Sequence, residues 1–166
     1  MIFRPYKDSD HSDVKEITIE CFDHVSSIDH NIENQFGLIA GKDWKWRKGQ
    51  EIERDLAANP GGVFISEVDG QPVGYITTRI DRETGIGVIP NLAVLSQYRN
   101  RGIARRLIDM AIQYMQQEGM SLVRIETLDT NDPGKRLYPS RGFREVARQI
   151  HFVLNLESPE DQNQSG

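Results

Sequence analysis

Between positions 85 and 119 the chain passes from an almost unbroken apolar run, through a turn carrying four arginines and no acid, into a stretch with helical apolar spacing. The run at 85–95 is apolar enough to predict a central strand covered on both faces. The stretch after the turn aligns Ile103, Leu107, Ile108, Ala111, Ile112 and Met115 on one face and meets a stop at Gly119. A second strand pattern follows at 121–128, where Val123 and Ile125 alternate with Arg124 and Glu126. Strand, glycine-containing turn, amphipathic helix and strand in this order form a βαβ-type unit.

The turn itself, Gln97-Tyr98-Arg99-Asn100-Arg101-Gly102-Ile103-Ala104-Arg105-Arg106, is electrostatically inverted. Helix N-termini carry roughly half a positive charge and favour Asp or Glu, so clustered arginines there cost a few tenths of a kcal/mol each, at about the scale of a helix-dipole interaction, unless an anion joins them. Free N–H groups at a helix start already form an anion site, and a phosphate would remove the conflict. The net charge is −5, of which this run contributes +4, leaving −9 on the remainder. That balance points away from nucleic acid as a partner and towards one local trap for an anion. The position at the carboxyl end of a strand is where open α/β sheets gather ligands.

The rest of the chain reads as mostly antiparallel. Residues 2–6 suggest a first strand, with Asp8, Ser9 and Asp10 as N-cap candidates for a helix bearing Val14, Ile17, Ile19 and Phe22. Residues 24–60 are less regular, with a helical pattern at 50–58 before the breaker Asn59-Pro60-Gly61-Gly62. Strands are predicted at 63–68 and 72–80 around the tight turn Asp69-Gly70. A short helix is expected at 135–141, and a closing antiparallel pair at 143–146 and 150–156. The tail 157–166 lacks apolar residues and is expected to be disordered, leaving one domain at 1–156. A single cysteine, Cys21, excludes an internal disulfide, and no apolar run is long enough to span a bilayer, so the expectation is a cytoplasmic protein without a membrane partner. No G-x-G-x-x-G run and no Gly-Lys-Ser/Thr at P-loop spacing are present.

The segment Arg99-Asn100-Arg101-Gly102-Ile103-Ala104 resembles the R/Q-x-x-G-x-G/A motif of the GNAT superfamily of N-acetyltransferases. Upstream, Asn91-Leu92-Ala93-Val94 is similar to the family's fourth strand. Downstream, Asn131, Leu137-Tyr138 and Gly142-Phe143 resemble its N-x-x-A-x-x-L-Y-x-x-x-G-F block. The resemblance implies a mixed α/β (α+β) fold, with a central, mostly antiparallel sheet of about six to seven strands flanked by about four helices. It also implies acetyl-CoA as cosubstrate, no metal, and direct acetyl transfer to a primary amine. The acceptor would be a peptide or protein N-terminus, or a small amine such as a polyamine, aminoglycoside or amino acid. A noncatalytic acyl-CoA-sensing domain is the rival from another class, and a homodimer is compatible with either.

The same resemblance distributes roles. Leu92, Ala93 and Val94 would flank the pantetheine arm, with amides near Ala93 and Val94 polarising the thioester carbonyl. Arg99, Asn100, Arg101, Gly102, Ile103, Ala104 and Arg105 would cradle and steer the phosphates, with Gly102 allowing close backbone approach. Tyr138 stands where many members place the tyrosine that protonates the departing sulfur, although Pro139 after it predicts altered backbone or a late helix start. Glu126, twelve residues before Tyr138, is similar in spacing to the general base of ribosomal-protein N-terminal alanine acetyltransferases. Its strand pattern is equally that of a solvent-facing carboxylate. Val88 stands where histone-type members carry a catalytic glutamate, and Glu83 lies outside that strand. Asn131 is expected to touch the cofactor or cap a helix, and Lys135 to reach the adenosine phosphates or stay solvated. His24, His30, Trp44 and Trp46 lie in the acceptor-side segment and read as substrate contacts or lid packing.

Overall fold

The computed structural model describes residues 1–23 and 27–156; His24 and the tail 157–166 lie outside the described residues. Six strands and five α-helices are described: β1 Ile2–Pro5, α1 His11–Asp23, α2 Ile28–Phe36, α3 Trp44–Ala58, β2 Phe64–Val68, β3 Gln71–Ile76, β4 Ile86–Ile89, β5 Leu92–Val94, α4 Ile103–Gln117, β6 Leu122–Ile125 and α5 Asp132–Ser140. Strands β1, β2, β3 and β5 form an antiparallel ladder in that order, while β4 and β6 pair in parallel. The Asp69-Gly70 turn takes left-handed φ at both positions, 51° and 81°, the geometry that matches the twist of the β2–β3 hairpin. A bridge between Arg79 and Val88 links the ladders, while the bond from Thr77 N–H to the Asn91 carbonyl extends the β3–β5 pairing by one residue.

Period-two alternation, reset at the β2–β3 register shift between Ser66 and Glu67 that leaves Val73 as an extra residue, divides the sheet between two cores. Val63, Ile65, Tyr75 and Ala93 face α1 and α3, meeting Val14, Ile17, Cys21, Ile52 and Leu56. Phe64, Val73, Ile76, Ile89 and Val94 face the opposite way, onto Ile103, Leu107, Ile108, Ala111 and Met115 of α4. The apolar face read from the sequence is thus the face α4 buries. Burial pushes the Cys21 thiol above its ordinary range, more than its contacts with Arg99 and the Val94 amide pull it down, so it is a buried, protonated thiol at neutral pH.

At the first strand, Arg4 Nη1 and Nη2 donate to Asp10 at 2.7 and 2.8 Å, and Arg4 Nε donates to Glu67 at 2.7 Å. The Lys7 amide also donates to Asp10. The Arg4 guanidinium therefore holds the Asp10 carboxyl below the usual carboxylate range. A depressed carboxyl contributes stability that is complete above the unfolded value and lost as pH falls through the folded one. Asp10→Asn should destabilise by about 2 kcal/mol at pH 7, the scale of hydrogen bonds to a charged group. Thermal melts should show the gap between variant and parent closing below about pH 4, where the unfolded carboxyl protonates.

Three sequence expectations need correction. Residues 143–156 form no closing pair; Val146, Ile150, Phe152, Leu154 and Leu156 are exposed, and no ladder joins them. Alternation was the only signal there, and it gives no partner strand. The helix before 59 begins at Trp44 rather than near 50, because Asp43 caps it through the Trp46 amide. Finally, α5 does not start late. Asn131 accepts from the Gly134 amide at 3.2 Å and starts the helix at Asp132, while Pro139 falls in the last turn, where one lost bond is cheap.

Candidate active site

The run predicted as one strand at 85–95 is broken in two, and the break makes the site. Thr77 pairs with Asn91, but two residues further on Arg79 pairs with Val88 instead of Ile89, with mutual amide bonds of 2.8 and 2.9 Å. One extra residue therefore sits around Ile89-Pro90, a β-bulge. On the other side, pairing of β4 with β6 ends at Ile89 and Ile125, and Pro90 has no N–H with which to continue it. Strand β5 consequently leaves β6 and presents a free edge to a gap.

Register settles which groups face that gap. Thr77/Asn91 and Val73/Leu95 are joined by backbone bonds, and Tyr75/Ala93 lies midway between them in the same register. In an antiparallel ladder the intervening residues turn their amides outward. The Leu92 and Val94 N–H groups therefore point away from β3 towards the gap, that of Val94 within reach of the Cys21 sulfur, whereas the Ala93 N–H faces β3. The amide pair expected near Ala93 and Val94 is corrected to Leu92 and Val94.

At the end of this edge lies the basic turn. Asn100 and Gly102 adopt left-handed φ of 61° and 79°, and nothing lies within 4 Å of where a Gly102 Cβ would project. Helix α4 has no side-chain N-cap and no acid in its first turn. Arg106 N–H is the first to reach a helical carbonyl, that of Gly102, leaving the amides of Ile103, Ala104 and Arg105 without a backbone acceptor. Three uncommitted amides beside an open left-handed glycine fit the pyrophosphate of a coenzyme A thioester.

The arginines do not all converge on that site. Arg99 Nε donates to the Val94 carbonyl at 3.1 Å, tying the turn to the edge of β5. Arg101 donates to the Gln97 carbonyl at 3.2 Å and lies over the Tyr98 ring at 5.2 Å. Arg105 and Arg106 are exposed on the first turn of α4. Lys135 is held at 3.0 Å from Asp132 and 3.8 Å from Asp129, so its charge is already engaged. Asn131 both caps α5 and donates to Thr127 Oγ1 at 2.8 Å, fixing the turn after β6.

Tyr138 packs against the α4-side core and edge-on to Phe143, with ring centroids 6.1 Å apart. A Cβ on Gly134 would stand 3.1 Å from its ring and 2.8 Å from Asn131 Nδ2, so this glycine, which spacing alone did not single out, seats the tyrosine. Burial raises the Tyr138 phenol above its ordinary value, keeping it protonated and able to donate. Glu126 lies immediately past β6, is exposed, and pairs with Arg124 at 3.2 Å. His30 and Trp44 pack edge to face at 4.0 Å, while Trp46 is half exposed beneath Lys42. Among the described residues, no group of three or more His, Cys, Asp or Glu is placed to hold a metal, and no helix is long and apolar enough to cross a membrane.

Fold, split strand and basic helix start together define an acyl-CoA-handling class, and the chain belongs to the acetyltransferase (GNAT) family, whose sequence model matches residues 16–143. N-alpha-acetyltransferase 30 of Saccharomyces cerevisiae is similar at 36% identity over 87 residues, covering 51% of this chain and 49% of that protein. The chain thus spans about half the length of this relative. Among solved structures, a NatC complex bound to Gag peptide and CoA superposes with a TM-score of 0.68 at 22% identity, covering 92% of this chain and 90% of the other. A ribosomal-protein alanine N-acetyltransferase of Escherichia coli gives 0.61 at 19% identity, covering 88% and 79%. At these identities the structures establish the fold.

Proposed function

We propose that this chain transfers an acetyl group from acetyl-CoA to a primary amine within one ternary complex, and that the acceptor is a peptide or protein N-terminus. The observation that carries the reading is the break between β4 and β5, which turns the Leu92 and Val94 amides into a gap leading to the uncommitted amides of α4. Acetyl-CoA supplies the activated acetyl group. The amides of Ile103, Ala104 and Arg105 hold its pyrophosphate, with Asn100 and Gly102 shaping the turn and Arg101 and Arg105 steering the anion. Leu92 and Val94 donate to the thioester carbonyl, where negative charge develops. Tyr138 delivers a proton to the departing sulfur, and Glu126 receives one from the amine.

Two features favour an α-amine over a lysine side chain. An α-amino group, with a reference value near 8, is neutral about once in ten at pH 7, whereas lysine near 10.4 is neutral only on the order of once in some thousands. A Glu126 that is exposed and already paired with Arg124 suits the first acceptor, which needs less help in losing its proton, better than the second. Leu128, two residues past Glu126, also lines an open cleft of about 360 Å³ with Ile28, Ile32, Phe36, Ile150 and Val153. Asn31, Gln35, Gln149 and His151 share its wall, and among the described residues no Asp, Glu, Lys or Arg does, which suits an uncharged N-terminal side chain. The peptide named in the NatC structure and the name of the yeast relative support the same acceptor class.

Thiol release from acetyl-CoA, screened against peptides with free N-termini, polyamines, aminoglycosides and amino acids, tests the proposal. Turnover is expected with peptides carrying apolar first residues, and N-terminal blocking should abolish it. Binding of CoA without thiol release from any amine would overturn the catalytic reading in favour of a sensor.

A further inference from the structure

The bulge that opens the gap is fastened from behind by a buried polar cluster. Asn91, 3% exposed, directs its side chain onto α3. Its Oδ1 accepts from Lys48 Nζ at 3.1 Å, and its Nδ2 donates to Asp55, which is 1% exposed. Asp55 also pairs with Arg79, the residue whose bridge to Val88 marks the other side of the bulge. Lys48 is 7% exposed, 3.1 Å from Glu51 and 4.3 Å from the centre of the Phe22 ring. The Asn91 amide donates to Thr77 Oγ1 at 3.1 Å, and its carbonyl accepts from Thr77 N–H at 3.0 Å.

Two buried charges, Lys48 and Asp55, and an amide are costly in the interior unless all are partnered, here partly by the more exposed Arg79 and Glu51, and a packed apolar group of similar volume is often as stable. What such a cluster adds is a unique geometry. A one-residue slip in a strand reverses which groups face each edge. Here it would turn the Leu92 and Val94 amides towards β3 and present Ala93 to the gap. Asn91 resists that slip because its two ends are chemically distinct: the oxygen meets a cation and the nitrogen meets a carboxylate, so only one register satisfies both.

We propose that Lys48, Asp55 and Asn91 are positioning residues that lock the register of the bulge and so aim the Leu92 and Val94 amides at the acyl group. The proposal rests on the acetyl-transfer reading for its kinetic consequence, but its structural consequence is independent of it. Asn91→Ala should lower kcat roughly 30-fold, a part of what loss of one carbonyl-polarising donor costs, with the KM for acetyl-CoA changing less than about threefold because α4 is untouched. Amide hydrogen exchange without ligand should show Ala93 losing protection in the variant, together with changed exchange at Leu92 and Val94. Asn91→Asp sets two carboxylates face to face and should behave at least as badly. The double variant Asp55→Asn with Asn91→Asp reverses the bond while keeping the total charge, and should recover kcat to within about threefold of the parent, as coupled neighbours do. A folded Asn91→Ala protein with parental kcat and exchange overturns the proposal. So does a double variant that regains its melting temperature but not its rate, since the cluster would then serve stability alone. If the parent transfers no acetyl group, the acetyl-transfer reading fails, and the exchange pattern still decides the register lock.

Discussion

Gly102→Val is expected to raise the dissociation constant for acetyl-CoA at least about a hundredfold, equivalent to about 2.8 kcal/mol, while leaving the protein folded. At φ of 79°, Gly102 holds a conformation that L side chains rarely adopt, so a branched residue will push the turn towards negative φ and rotate the first amides of α4 away from one another. Nothing lies within 4 Å of the new Cβ, so the unliganded core is not overpacked, and the fold should lose only about 1–2 kcal/mol, the left-handed penalty for one residue. Calorimetric titration measures the first quantity and thermal unfolding the second. Loss of binding with a melting point within a few degrees of the parent marks the turn as the cradle. Unchanged affinity would remove pyrophosphate binding from these amides. Ligand protection supplies a cross-check: a hundredfold excess over the dissociation constant stabilises the parent by about 2.7 kcal/mol, which the variant should not gain.

The parts of this site that could be read in the sequence are those built from local chemistry. An acid-free helix start, a glycine at the turn and a following apolar stripe announce an anion site without knowledge of the rest of the fold. Asn131 as a helix cap and Tyr138 near a helix end are local in the same sense. The gap was less legible because it depends on pairing. Residues 85–95 look like one strand, and only the partners of Val88 and Asn91 reveal the displaced register around Pro90. Lys48 and Asp55 were hidden for a further reason. They share the spacing of Ile52 and Leu56 on the buried stripe of α3, and a charged residue on such a stripe usually signals a surface position. The pattern of two opposite charges interrupting one apolar face was the available signal, and its meaning came only with Asn91 between them.

The split sheet also relates the two halves of the proposed chemistry. Arg99 ties the Val94 carbonyl to the basic turn, so the strand edge and the helix start are linked by one side chain at 3.1 Å. A shift of the phosphate cradle is therefore felt at the carbonyl-polarising edge, which small, packed displacements can transmit. The proposed acceptor cleft is lined by different elements, α2 and the segment following β6, and can vary without disturbing that link.

Tyr138→Phe carries the largest expected effect on turnover, a fall in kcat of about a hundredfold or more, the range for loss of a positioned general acid. The substitution keeps the ring that packs against Phe143 and over Gly134, so stability and the KM for acetyl-CoA should change little. Burial raises the phenol above its ordinary value, which fixes the sign of the pH response. The acid form is present throughout neutral pH and is lost only above the unperturbed phenol range near 10, so the parent should show no loss of kcat from this group between about pH 6 and 9. The variant should be slow across that whole interval and should recover when the leaving thiol is made more acidic, since a better leaving group needs no proton. Glu126→Gln supplies the contrast. Its cost should be small with an α-amine, of which about one in ten is already neutral at pH 7, and larger with a lysine side chain. Parental kcat in Tyr138→Phe on peptide acceptors would transfer the acid role to water and leave the phenol as packing.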